Sequence, residues 1–104
     1  MPEAKMIVLY PQPTDIARFD RDYREHLRLL HRKMGIPEGV RPYAVTRFLD
    51  TPMGKPGFCQ MFSMAFSSPE ALAEAMKSLQ MQELAADAAR ISSGGQPVML
   101  VGVD

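Results

Sequence analysis

A single amphipathic stretch, Thr14–Gly35, constrains the fold of this sequence more than any other feature. Its apolar side chains recur every three or four residues, which at about 100° per residue puts them in one stripe about 60° wide. The stripe contains Ile16, Phe19, Tyr23, Leu27, Leu30 and Met34. Thr14 can cap the start, and Gly35 suits the left-handed end, beyond which Pro37 prevents continuation. The stretch predicts one helix with one buried face.

Four other segments have the composition of strands. They are Lys5–Tyr10, Val40–Leu49, Phe58–Phe66 and Pro97–Val103. The first is a nearly continuous apolar run, which predicts a strand buried on both faces. Pro42 indicates an edge position or an unpaired start for the second, because proline lacks the N–H that a central strand donates. The third alternates an aromatic face with a small, mixed face and is typical of a central strand.

A second helical pattern follows the third strand and changes phase along its length. Ser68 can cap its start, with Pro69 at the first helical position. The five-residue step from Leu79 to Leu84 interrupts the spacing of three and four. We therefore expect a break near Ser78–Met81 and two helical pieces.

The order of these elements is strand, helix, strand, strand, helix, strand. With right-handed crossovers it predicts an α+β, ferredoxin-like βαββαβ fold, a four-stranded antiparallel sheet with its helices on one face. The 104 residues suit a single domain, 1–104, since domains commonly have about 100–150 residues. The second sheet face is apolar, which favours its burial against another copy in a two-fold dimer. A monomer with a hydrated sheet face is the alternative.

Composition excludes several classes of function. Twelve basic and twelve acidic residues balance, so we expect neither nucleic acid nor an anionic membrane as partner. The single Cys59 cannot form an intramolecular disulfide, which fits a reducing cytosol. Lys5 is followed by only five apolar residues before Pro11, unlike a signal peptide, and no run approaches the roughly 18 apolar residues of a membrane span. We expect a cytoplasmic protein.

His26 is the strongest candidate for chemistry. It lies three residues after Tyr23, on the same side of the helix, so both side chains can face a groove between helix and sheet. Histidine suits general acid or base catalysis because its pKa is near neutrality, and Tyr23 can orient a carbonyl or phenol oxygen. The structural alternative is that His26 pairs with Asp22 at the helix edge and Tyr23 belongs to the buried seam.

Other polar residues offer weaker candidates. Arg47 and Tyr43 share one face of the second strand; Arg47 suits an acidic substrate, a salt bridge between subunits or simple exposure. His31 lies on the opposite flank of the helix from His26 and is expected in solvent or at an interface. The two histidines are five residues apart rather than three or four, and no Cys/His cluster or glycine-rich phosphate loop occurs. We expect no metal and no cofactor.

Cys59 and the nine methionines have mainly structural interpretations. No helix start or base lies beside Cys59 in the sequence, so we expect a buried, inert thiol. The methionines either fill the core or line an adaptable apolar pocket.

Three segments together resemble the EthD family, within the superfamily of dimeric α/β barrels. They are IVLYPQPTDIARFDRDYREHL near the start, and SSPEALAEAM and QELAADAARISSGG near the end. The resemblance spans nearly the whole chain and implies two ferredoxin-like subunits packed sheet against sheet. Asp87 lies in the last of these segments and joins Arg47 and Tyr43 as a candidate substrate-binding residue; its alternative is a helix-edge contact with a backbone group or an arginine.

The family's first-helix signature is matched only in part. It reads Phe-Asp-x-x-Tyr, a histidine four residues after the tyrosine, and a Pro-Leu pair. Phe19, Asp20 and Tyr23 match, but Leu27 occupies the histidine position and the nearest histidine is His26. Leu29 stands where the proline is usual. Either the histidine has moved by one residue, about 100° around the helix, or the site itself differs from that of the family.

The resemblance implies two classes of function. Similar proteins include cofactor-free monooxygenases, lactone isomerases, polyketide cyclases or dehydratases, and haem enzymes, while EthD is associated with ether-degrading oxidation systems. One hypothesis is therefore a cofactor-independent enzyme, or an oxidoreductase-like accessory in oxidative breakdown, that acts on a small apolar or aromatic compound in the helix–sheet groove. The other is a non-catalytic module that binds a small molecule or docks to a partner.

Overall fold

Seven elements follow one another in the computed structural model, which describes residues 3–104. They are β1 (Ala4–Pro11), α1 (Ile16–Met34), β2 (Tyr43–Arg47), β3 (Phe58–Phe66), α2 (Pro69–Met76), α3 (Leu79–Ile91) and β4 (Val98–Val103). Met1 and Pro2, the first two residues of the expected 1–104 domain, lie outside the described range. Since α2 and α3 are two pieces of one interrupted helix, the order is the predicted βαββαβ.

The four strands form one antiparallel sheet in the order β2-β3-β1-β4. The edge position of β2 agrees with the prediction from Pro42, although the strand is shorter than Val40–Leu49 because it pairs with β3 only over Tyr43–Arg47. The chain has the ferredoxin-like α+β fold that the order of its elements predicts. Within residues 3–104, no helix is both long and apolar enough to cross a membrane.

The start of α1 differs from the prediction by one residue. The Asp15 carboxylate, not the Thr14 hydroxyl, accepts the capping hydrogen bond from the backbone N–H of Arg18, at 3.1 Å. Thr14 is used differently, because its own N–H donates to Ser93 Oγ at 3.0 Å and ties the start of α1 to the end of α3. The other end is as predicted, with Gly35 left-handed at φ 66°.

The predicted break between the second and third helices is present and has a defined cause. Ser78 Oγ accepts from the N–H of Met81 at 3.1 Å, capping α3, and donates to the carbonyl of Ala75 at 2.7 Å in the last turn of α2. One hydroxyl therefore satisfies groups of both helices at the junction. This junction sets the position of α3 over the sheet.

The two faces of the sheet differ in cover. On the helix side, β1 presents four buried residues, Ala4, Met6, Val8 and Tyr10. The other residues of β1 are half-buried, because the helices cover only one side of the sheet. The prediction that β1 is buried on both faces is therefore wrong for a single copy of the chain. The uncovered side, here called the outer face, brings together the apolar residues Ile7, Leu9, Met61, Val98 and Leu100 through the pairing of their strands.

Candidate functional site

A cavity of about 250 Å³ lies between α1, α3 and the helix side of the sheet. Helix α3 contributes three small residues to its walls, Ala85, Ala88 and Ala89. The remaining lining residues are Met6, Val8, Tyr10, His26, Leu30, Phe62, Met81, Leu84, Gln96, Pro97 and Met99. This helix–sheet cavity is mostly apolar, and its polar groups are few enough to be considered singly.

His26 lies in the cavity wall and is held by an acid from another helix. Its Nδ1 is 2.7 Å from Asp87 Oδ2, and the two side chains are only 10% and 17% exposed. The alternative pairing with Asp22 is wrong, because that carboxylate lies beside Arg18 and Arg21, at 3.8 Å and 3.9 Å. The expected helix-edge contact of Asp87 with an arginine is present, to Arg90 at 2.9 Å, but the buried side of Asp87 faces His26.

The charge of Asp87 fixes the orientation of the His26 ring. Burial alone would raise the pKa of Asp87, but hydrogen bonds from His26 and Arg90 outweigh it and hold this pKa below its usual value. The group is therefore a carboxylate at neutral pH and can only accept hydrogen bonds. Nδ1 must carry the proton that it donates to Asp87, which leaves Nε2 as the basic nitrogen of the neutral ring.

Tyr23 does not share the cavity with His26 as the helix pattern predicted. It is 5% exposed and belongs to an aromatic cluster, with ring centroids 5.5 Å from Tyr10 and 5.7 Å from Phe19. Its ring centroid is 5.8 Å from that of His26, yet Tyr23 is absent from the cavity lining. The Tyr23 ring packs in the buried face of α1, so its hydroxyl lies in the core.

The Tyr23 hydroxyl is buried and makes no hydrogen bond within residues 3–104. Burial raises the pKa of Tyr23, and the nearby Gln60 amide offsets only part of that effect without reaching hydrogen-bond geometry. A buried hydroxyl in this state is a cost to stability and does not contact the cavity.

Tyr10 is the tyrosine that lines the cavity, and it was not among the predicted site residues. It lies at the end of β1, whose even-numbered residues all face the helices. Burial raises the pKa of Tyr10, so its hydroxyl remains a protonated donor. The alternation of side chains along β1 would have identified Tyr10 as facing the helices. This alternation is not visible in the sequence, because the apolar run is nearly continuous. Three methionines, Met6, Met81 and Met99, also line the cavity, consistent with the adaptable-pocket interpretation.

Arg47 and Tyr43 lie on the helix side of β2 but away from the cavity. Arg47 donates to Gln60 Oε1 at 3.0 and 3.2 Å and forms an ion pair with Asp20, so its polar partners are within the chain. The Tyr43 hydroxyl is 2.7 Å from Nε2 of the half-buried His31. Of the five candidate site residues, His26 alone lines the cavity, and Asp87 contacts it from behind the lining.

Two further observations concern cofactors and thiol chemistry. In the part of the chain that the structure describes, no group of three His, Cys, Asp or Glu side chains is placed to hold a metal ion. Cys59 is 2% exposed, and burial raises the pKa of its thiol, which makes it a poor nucleophile.

Solved structures with this architecture place the chain among ferredoxin-like proteins. An ethyl tert-butyl ether D (EthD) family protein from Bacillus halodurans is 30% identical with a TM-score of 0.79, and the similarity covers 98% of each chain. A scan against protein-family models and a search of curated proteins both find no match. Identity at this level over the whole length shows that the chain belongs to the EthD family.

Two more distant structures share the fold. A dimeric ferredoxin-like protein of unknown function from Jannaschia is 14% identical with a TM-score of 0.67, over 96% of this chain and 97% of that one. A hydroxynitrile lyase from Passiflora edulis is 12% identical with a TM-score of 0.72, over 99% of this chain and 94% of the lyase. At these identities the likeness concerns architecture and leaves function open.

Proposed function

We propose that this chain is a cofactor-independent enzyme in which His26 moves a proton to or from a small apolar or aromatic compound bound in the helix–sheet cavity. The observation that supports this most directly is the 2.7 Å contact of His26 Nδ1 with Asp87 in the wall of that cavity. The cytoplasmic location expected from the single Cys59 is part of the same proposal.

The proposed chemistry follows from the two ring nitrogens of His26. Nδ1–H donates to Asp87, so Nε2 accepts a proton from the ligand, and the Asp87 carboxylate stabilises the imidazolium that forms. Tyr10 lines the same cavity and supplies a neutral hydroxyl, able to donate to an oxygen that becomes negative. Isomerisation, cyclisation, dehydration and cofactor-free oxygenation can each begin with such a deprotonation beside a carbonyl or at a phenol.

The ligand is restricted by volume and polarity. About 250 Å³ is at the small end of ligand pockets, and most of the lining is apolar. A compact aromatic or branched compound with one polar group meets these limits. The same properties suit a role in the oxidative breakdown of small apolar compounds, which is the pathway context of the EthD family.

Proton exchange tests the proposal without knowledge of the natural substrate. Small aryl ketones that bind the protein, detected by ligand NMR, should exchange their α-protons in D₂O faster with wild-type protein than in buffer. His26→Gln should lower the added rate by about 10²-fold or more, because a general base contributes about 10²–10⁴-fold. Asp87→Asn should lower it as well, since the amide no longer requires the Nδ1–H tautomer.

The matched control is His31→Gln, which removes the other histidine from the opposite flank of α1. It should leave the exchange rate unchanged. Ketones that bind in the cavity and exchange no faster than in buffer would contradict the proposal, as would an accelerated rate that survives His26→Gln. Mandelonitrile is a useful further substrate, because its cleavage to benzaldehyde and cyanide also begins with removal of a hydroxyl proton.

A non-catalytic carrier is the second candidate, favoured by the mostly apolar lining and by Leu27 at the family's histidine position. Such a protein would bind the ligand and leave it unchanged. Binding by His26→Gln at wild-type affinity, with no wild-type turnover of any bound ligand, would identify the carrier.

We further propose that the protein is a homodimer joined through the outer face. Val98 and Leu100 on this face are 37% and 47% exposed, and the strand pairing places Ile7 and Leu9 of β1 beside them. A second copy of the same face would bury these side chains through a two-fold axis, which is the commonest symmetry of dimers. The Jannaschia neighbour with the same fold is described as dimeric.

A further inference from the structure

A second depression, of about 510 Å³, lies on the opposite flank of α1 from the helix–sheet cavity. It is bounded by α1, by the connection to β2 and by Tyr43 at the start of β2, and it shares no lining residue with the cavity. Four arginines, Arg24, Arg28, Arg32 and Arg41, contribute to its walls. We call it the basic groove.

The basic groove concentrates charge in a chain that is neutral overall. Four arginines and one acid, Glu38, line the groove. Their formal charge is four minus one, or +3, whereas the net charge of the whole sequence is +0. Arg28 pairs with Glu25 outside the lining. Within residues 3–104, Arg24, Arg32 and Arg41 make no salt bridge within 4.0 Å.

The four arginines of the groove are exposed to solvent and place like charges close together. Arg24, Arg28 and Arg32 follow at intervals of four residues, so they are neighbours on one face of α1, and like charges at this spacing destabilise a helix. Arg41 adds a fourth positive charge from the facing connection. An anion seated between α1 and this connection removes the repulsion, so the arrangement favours an acidic ligand.

The rest of the groove is apolar and partly rigid. Leu27 and Ile36 line it as half-buried residues. The Tyr43 ring is fixed by the 2.7 Å contact of its hydroxyl with His31 and by stacking on Phe62, with centroids 5.3 Å apart. Such a surface suits the hydrocarbon part of a ligand, while arginine forks match the paired oxygens of a carboxylate or phosphate.

We propose that the basic groove binds a small organic anion, a carboxylate or phosphate attached to a short apolar group. The anion contacts the arginines, and the apolar part lies on Leu27, Ile36 and Tyr43. This site is separate from the proposed catalytic cavity and is independent of the function proposed for it.

Titration calorimetry with three probes tests the proposal. Phenyl phosphate carries both parts of the ligand, inorganic phosphate only the anion and benzyl alcohol only the apolar part. We expect phenyl phosphate to bind most tightly, and Arg32→Gln and Arg41→Gln to weaken it about tenfold each, through loss of a charge-assisted contact. Benzoate in place of phenyl phosphate shows which anion the groove prefers.

The matched control is Arg21→Gln, which removes the same charge from α1 at an exposed position outside the groove. It should change the affinity by less than about twofold. His26→Gln should also leave phenyl phosphate binding unchanged, which separates this site from the cavity. Equal weakening by Arg21→Gln, equally tight binding of benzyl alcohol, dependence on His26, or no binding at millimolar phenyl phosphate would each overturn the proposal.

Discussion

His26 and Asp87 are 61 positions apart in the chain, and they meet because α1 and α3 lie side by side over the sheet. Each was a candidate site residue in the sequence, but their contact with each other was not predicted. Asp22, one turn before His26, is closer to it in sequence than Asp87 is, but the Asp22 carboxylate lies beside Arg18 and Arg21. The contact between His26 and Asp87 is thus a product of tertiary structure.

Asp87 gives stability a specific pH dependence. Its folded pKa is held below the ordinary 3.8, so its ionised form stabilises the folded state. That contribution is fully present above the unfolded pKa and is lost as pH falls through the folded pKa. The difference in unfolding free energy between wild type and Asp87→Asn should therefore be constant near neutrality and shrink as pH falls below the ordinary value.

Urea unfolding at a series of pH values measures this difference. Asp50→Asn is the control, since Asp50 is exposed and makes no salt bridge among the described residues. Its profile should follow that of wild type. A gap between wild type and Asp87→Asn that stays constant into strong acid would argue against the ionised Asp87 contact.

Tyr23→Phe tests whether the buried hydroxyl has a function. Because this hydroxyl lacks a partner within residues 3–104, its removal should leave the free energy of unfolding unchanged or raise it by about 1 kcal/mol. Tyr43→Phe, which loses the 2.7 Å contact with His31, should lower it by about 1 kcal/mol. Thermal unfolding compares the two variants, and a destabilised Tyr23→Phe would reveal a hydrogen bond at Tyr23.

The sequence located His26 but not its surroundings, for a physical reason. Helical periodicity reports which face of α1 is buried, and it placed His26 on the flank that reaches the cavity. Helical periodicity does not show whether a tyrosine hydroxyl reaches a cavity or stays in the core. It therefore favoured Tyr23, whereas the tyrosine that lines the cavity is Tyr10. The partner Asp87 depends on how α3 packs, which no local pattern encodes.

At the scale of elements, α3 depends on one side chain at its start. Ser78→Ala removes both hydrogen bonds of the junction with α2, and should lower the free energy of unfolding by about 0.5–2 kcal/mol, the usual effect of losing an N-cap. Urea unfolding measures the change. The control is Ser67→Ala, at an exposed position just before α2, which should have little effect. Equal effects of Ser78→Ala and Ser67→Ala on the free energy of unfolding would show that Ser78 does not cap α3 in solution.

Element boundaries were predictable where a residue has one strong conformational preference. Gly35 ends α1 because few residues other than glycine adopt a left-handed backbone. The break was expected near Ser78–Met81 and occurs at Ser78, although the step from Leu79 to Leu84 that suggested it lies within α3. The start of α1 was missed by one residue, since Thr14 and Asp15 can both cap a helix. In the structure Asp15 caps the helix, while the backbone N–H of Thr14 bonds to Ser93.

At the scale of the whole molecule, the outer face is the proposed interface of the homodimer. Leu100→Lys should convert the proposed dimer to a monomer, because it places a charge at the centre of an apolar interface. Sedimentation at micromolar concentration measures the mass. Met53→Lys, on a side chain 96% exposed in a loop, should leave the dimer intact. A wild-type protein that sediments as a clean monomer would refute the dimer.

The edge strand β4 serves two surfaces at once. Met99 lines the helix–sheet cavity, while its neighbours Val98 and Leu100 point to the outer face, because side chains alternate along a strand. In the proposed dimer, separation of the subunits would thus expose this strand, which among residues 3–104 pairs with β1 alone. Turnover per chain should then fall on dilution, so that a plot of rate against protein concentration curves upward.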